Sequence, residues 1–139
     1  MSKNSRSSTR MSRQYDCFLY YNTHSYHSQK IILALSYYKL KYNSQEINTL
    51  ENEQYKPWFV RINPDASLPT LRHGNRILIN TLHILEYLEN YMAKDFRLMP
   101  LEHFHRIKRF MLLVDSVDMD VLRYHVLGED SLAPHSLIP

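Results

Sequence analysis

The chain has 139 residues, 44% of them hydrophobic and 22% charged, and a formal net charge of +3 at pH 7. This length allows one domain and part of a second, and the composition is that of a globular protein. No apolar run of about 18 residues occurs, so no transmembrane helix is predicted within the sequence. A single cysteine, Cys17, excludes an internal disulfide, a CxxC redox motif and a cysteine-based zinc site.

The excess of positive charge comes from the first 15 residues. They contain four of the 17 basic residues and no acidic residue. The remaining 13 basic residues face 14 acidic ones, so nucleic acid is not an expected partner. Residues 1–15 are also rich in serine, which predicts a disordered tail. A mitochondrial targeting segment is the alternative, although the tail lacks an apolar face.

The first predicted elements form a β-α-β unit. Cys17–Tyr21 is a continuous apolar run, which is typical of a buried strand. Ser25 and Ser28 are start signals for a helix over residues 29–40, where apolar residues recur at helical spacing. A weaker strand pattern follows over residues 41–47.

A short helix and a hairpin come next. After a polar connection over residues 48–54, Pro57 is suited to the first position of a short helix. Residues 70–79 then form two apolar runs around Gly74, which can adopt a positive φ angle. This pattern predicts an antiparallel pair of strands.

The last elements complete one domain and begin another. Asn80 and Thr81 offer caps for a further helix. The order β-α-β, short helix, β-β-α predicts an α/β fold of the thioredoxin-like type, with a mixed four-stranded sheet and helices on both faces. This domain is expected to span residues 16–93. A long helix with a wide apolar surface from Leu101 predicts the first helix of an incomplete all-α domain over residues 94–139.

Three segments resemble the glutathione transferase family. Residues 23–30 are similar to the serine-type active-site turn of its theta and zeta classes. Residues 63–71 resemble the family's Asn-Pro…Val-Pro-x-Leu segment, and residues 87–88 resemble the Tyr-Leu pair that ends a family helix. The resemblance covers about residues 18–91. It implies a glutathione transferase N-terminal domain, followed by the truncated start of the helical C-terminal domain.

A closer resemblance is to the ganglioside-induced differentiation-associated protein subgroup of this family. Short similar segments occur in one order, within residues 19–30, 57–63, 87–89, 97–100, 115–120 and 136–139. Members of the subgroup carry a long loop, further helices and a C-terminal membrane anchor, and are linked to the mitochondrial outer membrane and its fission. Because that later region is missing from this sequence, we expect a fragment or a short form.

The resemblance implies a glutathione site of five residues. Ser25 would be catalytic, with its hydroxyl hydrogen-bonded to the glutathione thiolate. Leu68 and Pro69 would be joined by a cis peptide bond, leaving the Leu68 backbone to pair with the cysteinyl part of glutathione. Asn80 and Thr81 would hold the γ-glutamyl group. The residues alone leave open that Ser25, Asn80 and Thr81 are helix caps and that Pro69 is a trans proline at a strand start.

Two positions depart from the family pattern. Most members have Gln or Glu followed by Ser where this chain has Asn80 and Thr81, and Ala66 stands where Gly is frequent. Asn80 is shorter and neutral, so both departures predict weakened glutathione binding.

No metal site is predicted. His24 and His27 are three residues apart, and His103 and His105 are two apart. No carboxylate-histidine grouping with the spacing of known metal sites accompanies either pair. Glutathione is therefore the only expected ligand.

Three functions remain open. The resemblance favours a glutathione transferase-like protein that binds or senses glutathione weakly. Such a protein would act in membrane dynamics on the cytosolic face of the mitochondrial outer membrane, with a second copy or a membrane protein as partner. The first alternative is an active transferase that conjugates glutathione to electrophiles, with a cytoplasmic location, although this chain alone is expected to catalyse poorly. The second is an unrelated thioredoxin-fold interaction module.

Overall fold

The computed structural model describes residues 17–92, 97–119, 121 and 122. The predicted tail over residues 1–15 lies outside the described residues, as do residues 93–96 and the last 17 residues of the chain. The chain forms two compact units, which divide between Leu98 and Met99. The predicted boundary at residue 93 stays a prediction.

The first unit is built on a mixed four-stranded sheet. Its strands are β1 (Cys17–Tyr21), β2 (Asn43–Glu46), β3 (Thr70–His73) and β4 (Arg76–Ile79). The spatial order is β2-β1-β3-β4, with β1 parallel to β2 and antiparallel to β3, and β3 antiparallel to β4. This arrangement confirms the predicted thioredoxin-like fold.

Three helices accompany the sheet: α1 (Tyr26–Tyr37), α2 (Pro57–Val60) and α3 (Thr81–Tyr87). The chain after α3 continues as a π-helical segment, Leu88–Met92. Just after α1, the Tyr38 hydroxyl donates a hydrogen bond to the Glu89 carboxylate near the start of this segment. This bond ties the C-terminal end of α1 to the segment that follows α3.

Helix α1 begins and ends three residues earlier than predicted. The helix begins earlier because Ser25, rather than Ser28, caps it. It ends earlier because Lys39 has a φ angle of 53°. The amides of Lys39 and Leu40 then bond to the carbonyls of Ser36 and Leu35, both at 3.0 Å. This is a Schellman motif with lysine where glycine is usual.

The two faces of the sheet carry different side chains. Leu19 and Leu71 are opposite each other in register and both are fully buried. Because side chains alternate along a strand, Tyr20 points to the other face. There it forms a buried cluster with Ile47 and Phe59, and the partly buried Phe18, Trp58, Ile62 and Leu68 pack against it. Helix α2 therefore covers this face.

The polar connection before α2 is more regular than expected. It contains two 3₁₀ turns, Thr49–Glu51 and Glu53–Tyr55. The Asn48 side chain caps the first turn by accepting from the amides of Leu50 and Glu51. Asn residues favour such turns because the side chain reaches its own backbone.

The second unit contains a 3₁₀ turn, Leu101–His103, and helix α4, Phe104–Asp115. The predicted helix from Leu101 thus begins as a 3₁₀ turn. Of its predicted apolar stripe, Phe104, Ile107 and Met111 are half-buried, whereas Val114 is exposed. No helix among the described residues is long and apolar enough to cross a membrane.

Candidate functional site

The turn after β1 places Ser25 at the start of α1. Its Oγ accepts a hydrogen bond from the Ser28 amide at 3.3 Å, and its amide donates to the Asn22 carbonyl at 3.1 Å. The predicted cap is therefore confirmed. A serine hydroxyl that accepts one bond keeps its own proton to donate. Capping and thiolate binding by Ser25 are chemically compatible.

Asn22 holds this turn against the chain beyond β2. Its Nδ2 donates to the Ile47 carbonyl at 3.0 Å and to the Thr49 hydroxyl at 3.2 Å, while its Oδ1 accepts from the His24 amide at 2.9 Å. The role of Asn22 was not predicted from the sequence. An Asn directly after a strand is a turn signal, but its partners 25 and 27 residues away could not be inferred locally.

A second contact fixes the tip of the same turn. The Thr23 amide donates to Glu46 Oε1 at 3.2 Å, and Gln29 Nε2 donates to the Thr23 carbonyl at 2.7 Å. Hydrogen bonds from the Thr23 side chain and backbone hold the pKa of the Glu46 carboxyl below its usual range. The turn is thus tied both to β2 and to the first turns of α1.

The loop before β3 contains the Leu68–Pro69 peptide bond, which is cis as the resemblance implies. Asn63, only 1% exposed, organises this loop. Its Nδ2 donates to the Ser67 carbonyl at 3.0 Å and to the Thr70 hydroxyl at 2.9 Å. One buried amide therefore fixes both sides of the cis bond.

Strand register brings the predicted site segments to one edge of the sheet. Tyr20, near the end of β1, is opposite Thr70, the first residue of β3. Thr70 is in turn opposite Ile79, the last residue of β4. The turn at Ser25 follows β1, the cis bond precedes β3, and Asn80 follows β4. All three segments therefore lie at the same end of the sheet.

The third segment lies against the first. Asn80 has a φ angle of 69° and caps α3, with its Oδ1 accepting from the Leu82 amide at 3.0 Å. Thr81 is 5% exposed, and its Oγ1 lies 3.3 Å from His27 Nδ1 in the first turn of α1. The contact joins the starts of α1 and α3. His27 falls within the predicted active-site turn over residues 23–30, but its contact with Thr81 was not predicted.

Cys17 is not part of this site. It is opposite His73 in register, at the other end of β1. The side chain is 1% exposed, and burial raises the pKa of its thiol to about 11. Such a thiol is almost entirely protonated near neutral pH and is a poor nucleophile.

Histidines do not assemble into a metal centre in the part of the chain that is described. No group of three or more His, Cys, Asp or Glu side chains there is arranged to hold a metal ion.

Residues 24–90 match the model of the family "Glutathione S-transferase, N-terminal domain". They belong to the glutathione S-transferase N-terminal domain family. The matched segment begins in the turn before α1 and ends beyond α3, so it contains all five residues of the expected glutathione site.

Curated relatives support the same assignment. The chain is 39% identical over 71 residues to "Glutathione S-transferase TCHQD" of Arabidopsis thaliana, which covers 51% of this chain and 27% of the relative. It is 28% identical over 127 residues to "Ganglioside-induced differentiation-associated protein 1-like 1" of Homo sapiens, covering 87% of this chain and 34% of the relative. The chain therefore spans about a third of the length of these relatives.

Solved glutathione transferase structures share the fold. A glutathione transferase homolog from Drosophila mojavensis with bound glutathione superposes with a TM-score of 0.60 at 25% identity, covering 63% of this chain and 40% of that one. A delta-class glutathione transferase of Nilaparvata lugens superposes with a TM-score of 0.72 at 20% identity, covering 85% and 57%. The second likeness concerns the fold alone.

Proposed function

We propose that this protein binds glutathione at the sheet edge where Ser25, the Leu68–Pro69 bond and the Asn80–Thr81 pair meet. The observation that carries the proposal is this meeting of three separate segments, tied by the contact between His27 and Thr81. In the proposed complex the Ser25 hydroxyl donates to the thiolate, and the Leu68 backbone pairs with the cysteinyl unit. Asn80 and Thr81 hold the γ-glutamyl end.

The electrostatics of α1 favour this orientation. A helix start carries partial positive charge, which stabilises an anion such as a thiolate. Helix α1 has 12 residues and no acidic residue in its first turn, so no side chain of the helix competes for that charge. The Thr81 hydroxyl supplies a donor of the kind that binds a carboxylate.

Binding is proposed to be weak, and the physiological role to be one of the ganglioside-induced differentiation-associated type. The Asn80 side-chain oxygen caps α3 by accepting from the Leu82 amide. This oxygen is therefore less available to accept a hydrogen bond from a ligand. The match to the human relative of that type extends over 87% of this chain. We therefore propose a role in membrane dynamics at the cytosolic face of the mitochondrial outer membrane, with a second copy or a membrane protein as partner. Residues 94–139 are proposed to begin the helical domain.

An active transferase is the second candidate. Its support is the similarity to proteins named glutathione S-transferase, among them relatives from Drosophila melanogaster that are 33% and 44% identical over shorter segments. In that case the thiolate held by Ser25 would attack an electrophile. Conjugation of glutathione to an aromatic halide, at a rate that Ser25→Ala lowers, would favour this candidate.

Calorimetric titration of glutathione into the chain tests the proposal. We expect measurable binding that weakens in Ser25→Ala by about tenfold, because a hydrogen bond to a charged group contributes about 1.5–3 kcal/mol. Ser25→Ala also removes a helix cap worth about 1 kcal/mol, so thermal melting is measured in parallel.

Ser25→Gly is the matched control, since Gly at a cap lowers stability by only a few tenths of a kcal/mol relative to Ser and has no side-chain donor. If Ser25→Gly nearly keeps the melting temperature and still loses affinity, the hydroxyl acts on the ligand. The proposal would be refuted by a folded wild-type chain that binds no glutathione at millimolar concentration.

A further inference from the structure

The imidazole of His27 contacts a hydroxyl that the proposed site needs. His27 Nδ1 and Thr81 Oγ1 are 3.3 Å apart, and the two residues belong to different helices. The His27 ring is half-buried and is packed edge-on against Tyr26, with ring centroids 5.4 Å apart. The contacts with Thr81 and Tyr26 therefore fix the position of the His27 ring.

The direction of this hydrogen bond has a chemical consequence. Thr81 has one hydroxyl proton, whereas an imidazole nitrogen either donates or accepts. If Nδ1 accepts, the Thr81 proton points at His27, and the hydroxyl offers a ligand only lone pairs. If Nδ1 carries a proton, it donates to Thr81 Oγ1, and the hydroxyl proton is free to point at a ligand. A carboxylate needs the second arrangement because it only accepts.

We infer that His27 is a positioning residue for the γ-glutamyl α-carboxylate of glutathione. With its proton on Nδ1, the imidazole orients the Thr81 hydroxyl so that it donates to that carboxylate. This inference rests on the proposed function, because it concerns the same glutathione site. It adds a specificity determinant: the site should distinguish ligands that carry the carboxylate from ligands that lack it.

Two substitutions of nearly equal size separate positioning from packing. Asn places a nitrogen or oxygen at the δ position that His27 Nδ1 occupies, so His27→Asn can still donate to Thr81. Leu has carbon there, so His27→Leu cannot. We expect glutathione affinity to fall by about tenfold in His27→Leu, as for loss of a bond to a charged group, and to be largely kept in His27→Asn.

The ligand is varied as well. The comparison compound is 4-aminobutyryl-cysteinyl-glycine, which is glutathione without the γ-glutamyl α-carboxylate. We expect His27→Leu to bind this compound as wild type does, and Thr81→Val to lose the same affinity for glutathione as His27→Leu. The double variant should lose no more than either single variant, since both remove one interaction.

His83→Leu is the control, because His83 lies two residues beyond Thr81 on α3 and is exposed. It should bind both compounds as wild type does. A spectroscopic readout completes the test: ¹⁵N-resolved NMR of the His27 ring should show Nδ1 protonated in the glutathione complex.

The outcomes distinguish the two proposals. If wild type binds glutathione and Ser25→Ala weakens it, while His27→Leu does not, only the inference about His27 is overturned. Equal losses for both compounds in His27→Leu, or an Nδ1 without a proton in the complex, also overturn it. If wild type binds no glutathione, the proposed function fails and the inference fails with it.

Discussion

At the scale of single residues, burial determines the chemistry of the Cys17 thiol. The pKa is raised from 9.0 to about 11 because the thiol lies inside the domain. Near pH 7.5 the thiolate fraction is then about 100-fold lower than for an unshifted thiol. Burial of the thiol and its low thiolate fraction both protect Cys17 from thiol reagents.

We predict that an aromatic disulfide reagent labels native Cys17 only as fast as the chain unfolds, and labels the denatured chain at once. The measurement is the absorbance of the released thiol with and without denaturant. The double variant Cys17→Ser, Ser36→Cys is the control, because Ser36 is exposed on α1 and should be labelled rapidly in the native state. Rapid labelling of native wild type would contradict the burial described.

Ala66 is held in a backbone conformation that suits glycine. Its φ angle is 51°, in the left-handed region, where a Cβ atom costs about 1–2 kcal/mol. Ala66→Gly should therefore raise the free energy of unfolding by roughly 0.5–1 kcal/mol, after the greater entropy of the unfolded glycine is subtracted. Denaturant titration monitored by far-ultraviolet circular dichroism measures this change.

The matched control for Ala66→Gly is Ala34→Gly in α1. Ala34 is 4% exposed in a regular helix, where glycine lowers stability by about 1 kcal/mol. The two identical substitutions should thus have opposite signs. A loss of stability in Ala66→Gly would mean that Ala66 contributes through its methyl group rather than through backbone conformation.

At the scale of elements, the turn after β1 depends on the charge of Glu46. The hydrogen bonds from Thr23 lower the pKa of this carboxyl in the folded state. A carboxyl with a lowered folded pKa stabilises the fold above its unfolded pKa, about 4.3. That contribution is lost as the pH falls through the lowered folded value.

We predict that wild type and Glu46→Gln differ in melting temperature near neutral pH and converge as the pH falls below about 4. Thermal melts at a series of pH values, followed by circular dichroism, measure the difference. Glu51→Gln, a substitution of an exposed carboxylate near the same edge, serves as control and should follow wild type throughout. A constant difference between wild type and Glu46→Gln at all pH values would count against the role of this charge.

Elements with a clear local signal could be predicted from the sequence. The apolar run of β1, the proline that starts α2 and the polar caps at Ser25 and Asn80 are of this kind, and the structure has them all. The end of α1 could not be predicted, because Lys39 adopts a conformation expected of glycine. Local propensity does not report such tertiary constraints.

The candidate site was predictable in part. Resemblance to known proteins supplied Ser25, the Leu68–Pro69 bond and the Asn80–Thr81 pair. The residues that hold these segments in place were not predicted: Asn22, Asn63 and His27. The hydrogen bonds of Asn22 and His27 reach residues 25 to 54 positions away, so local sequence patterns do not reveal these partners. Asn63 bonds within its own loop, but its local pattern does not show that its side chain is buried there.

At the scale of the whole molecule, the second unit exposes an apolar surface. Phe110 is 56% exposed and Leu113 is 64% exposed, and they lie three residues apart on α4. Residues at this spacing share one face of a helix. Exposed Leu112, Val114 and Val117 extend the apolar surface.

We predict that wild type binds a fluorescent apolar dye in the native state, and that Phe110→Lys with Leu113→Lys reduces this fluorescence, because contiguous exposed apolar surface attracts apolar partners. Circular dichroism should show that helix and sheet content are retained. Leu33→Lys is the control, since Leu33 is 68% exposed but belongs to α1 in the first unit, so its loss should not change dye binding to α4. Unchanged fluorescence in the double variant would place the dye elsewhere.

The strand register also bears on how this protein acquires its site. The turn at Ser25 and the loop at Pro69 become neighbours only when β1 pairs with β3, although a helix and another strand separate them along the chain. Pairing between distant segments forms late and opens as a unit. Backbone amides that pair β1 with β3 should therefore exchange hydrogen with solvent at similar rates. If the proposed glutathione site is correct, a newly synthesised chain would bind glutathione only after the hairpin of β3 and β4 had left the ribosome.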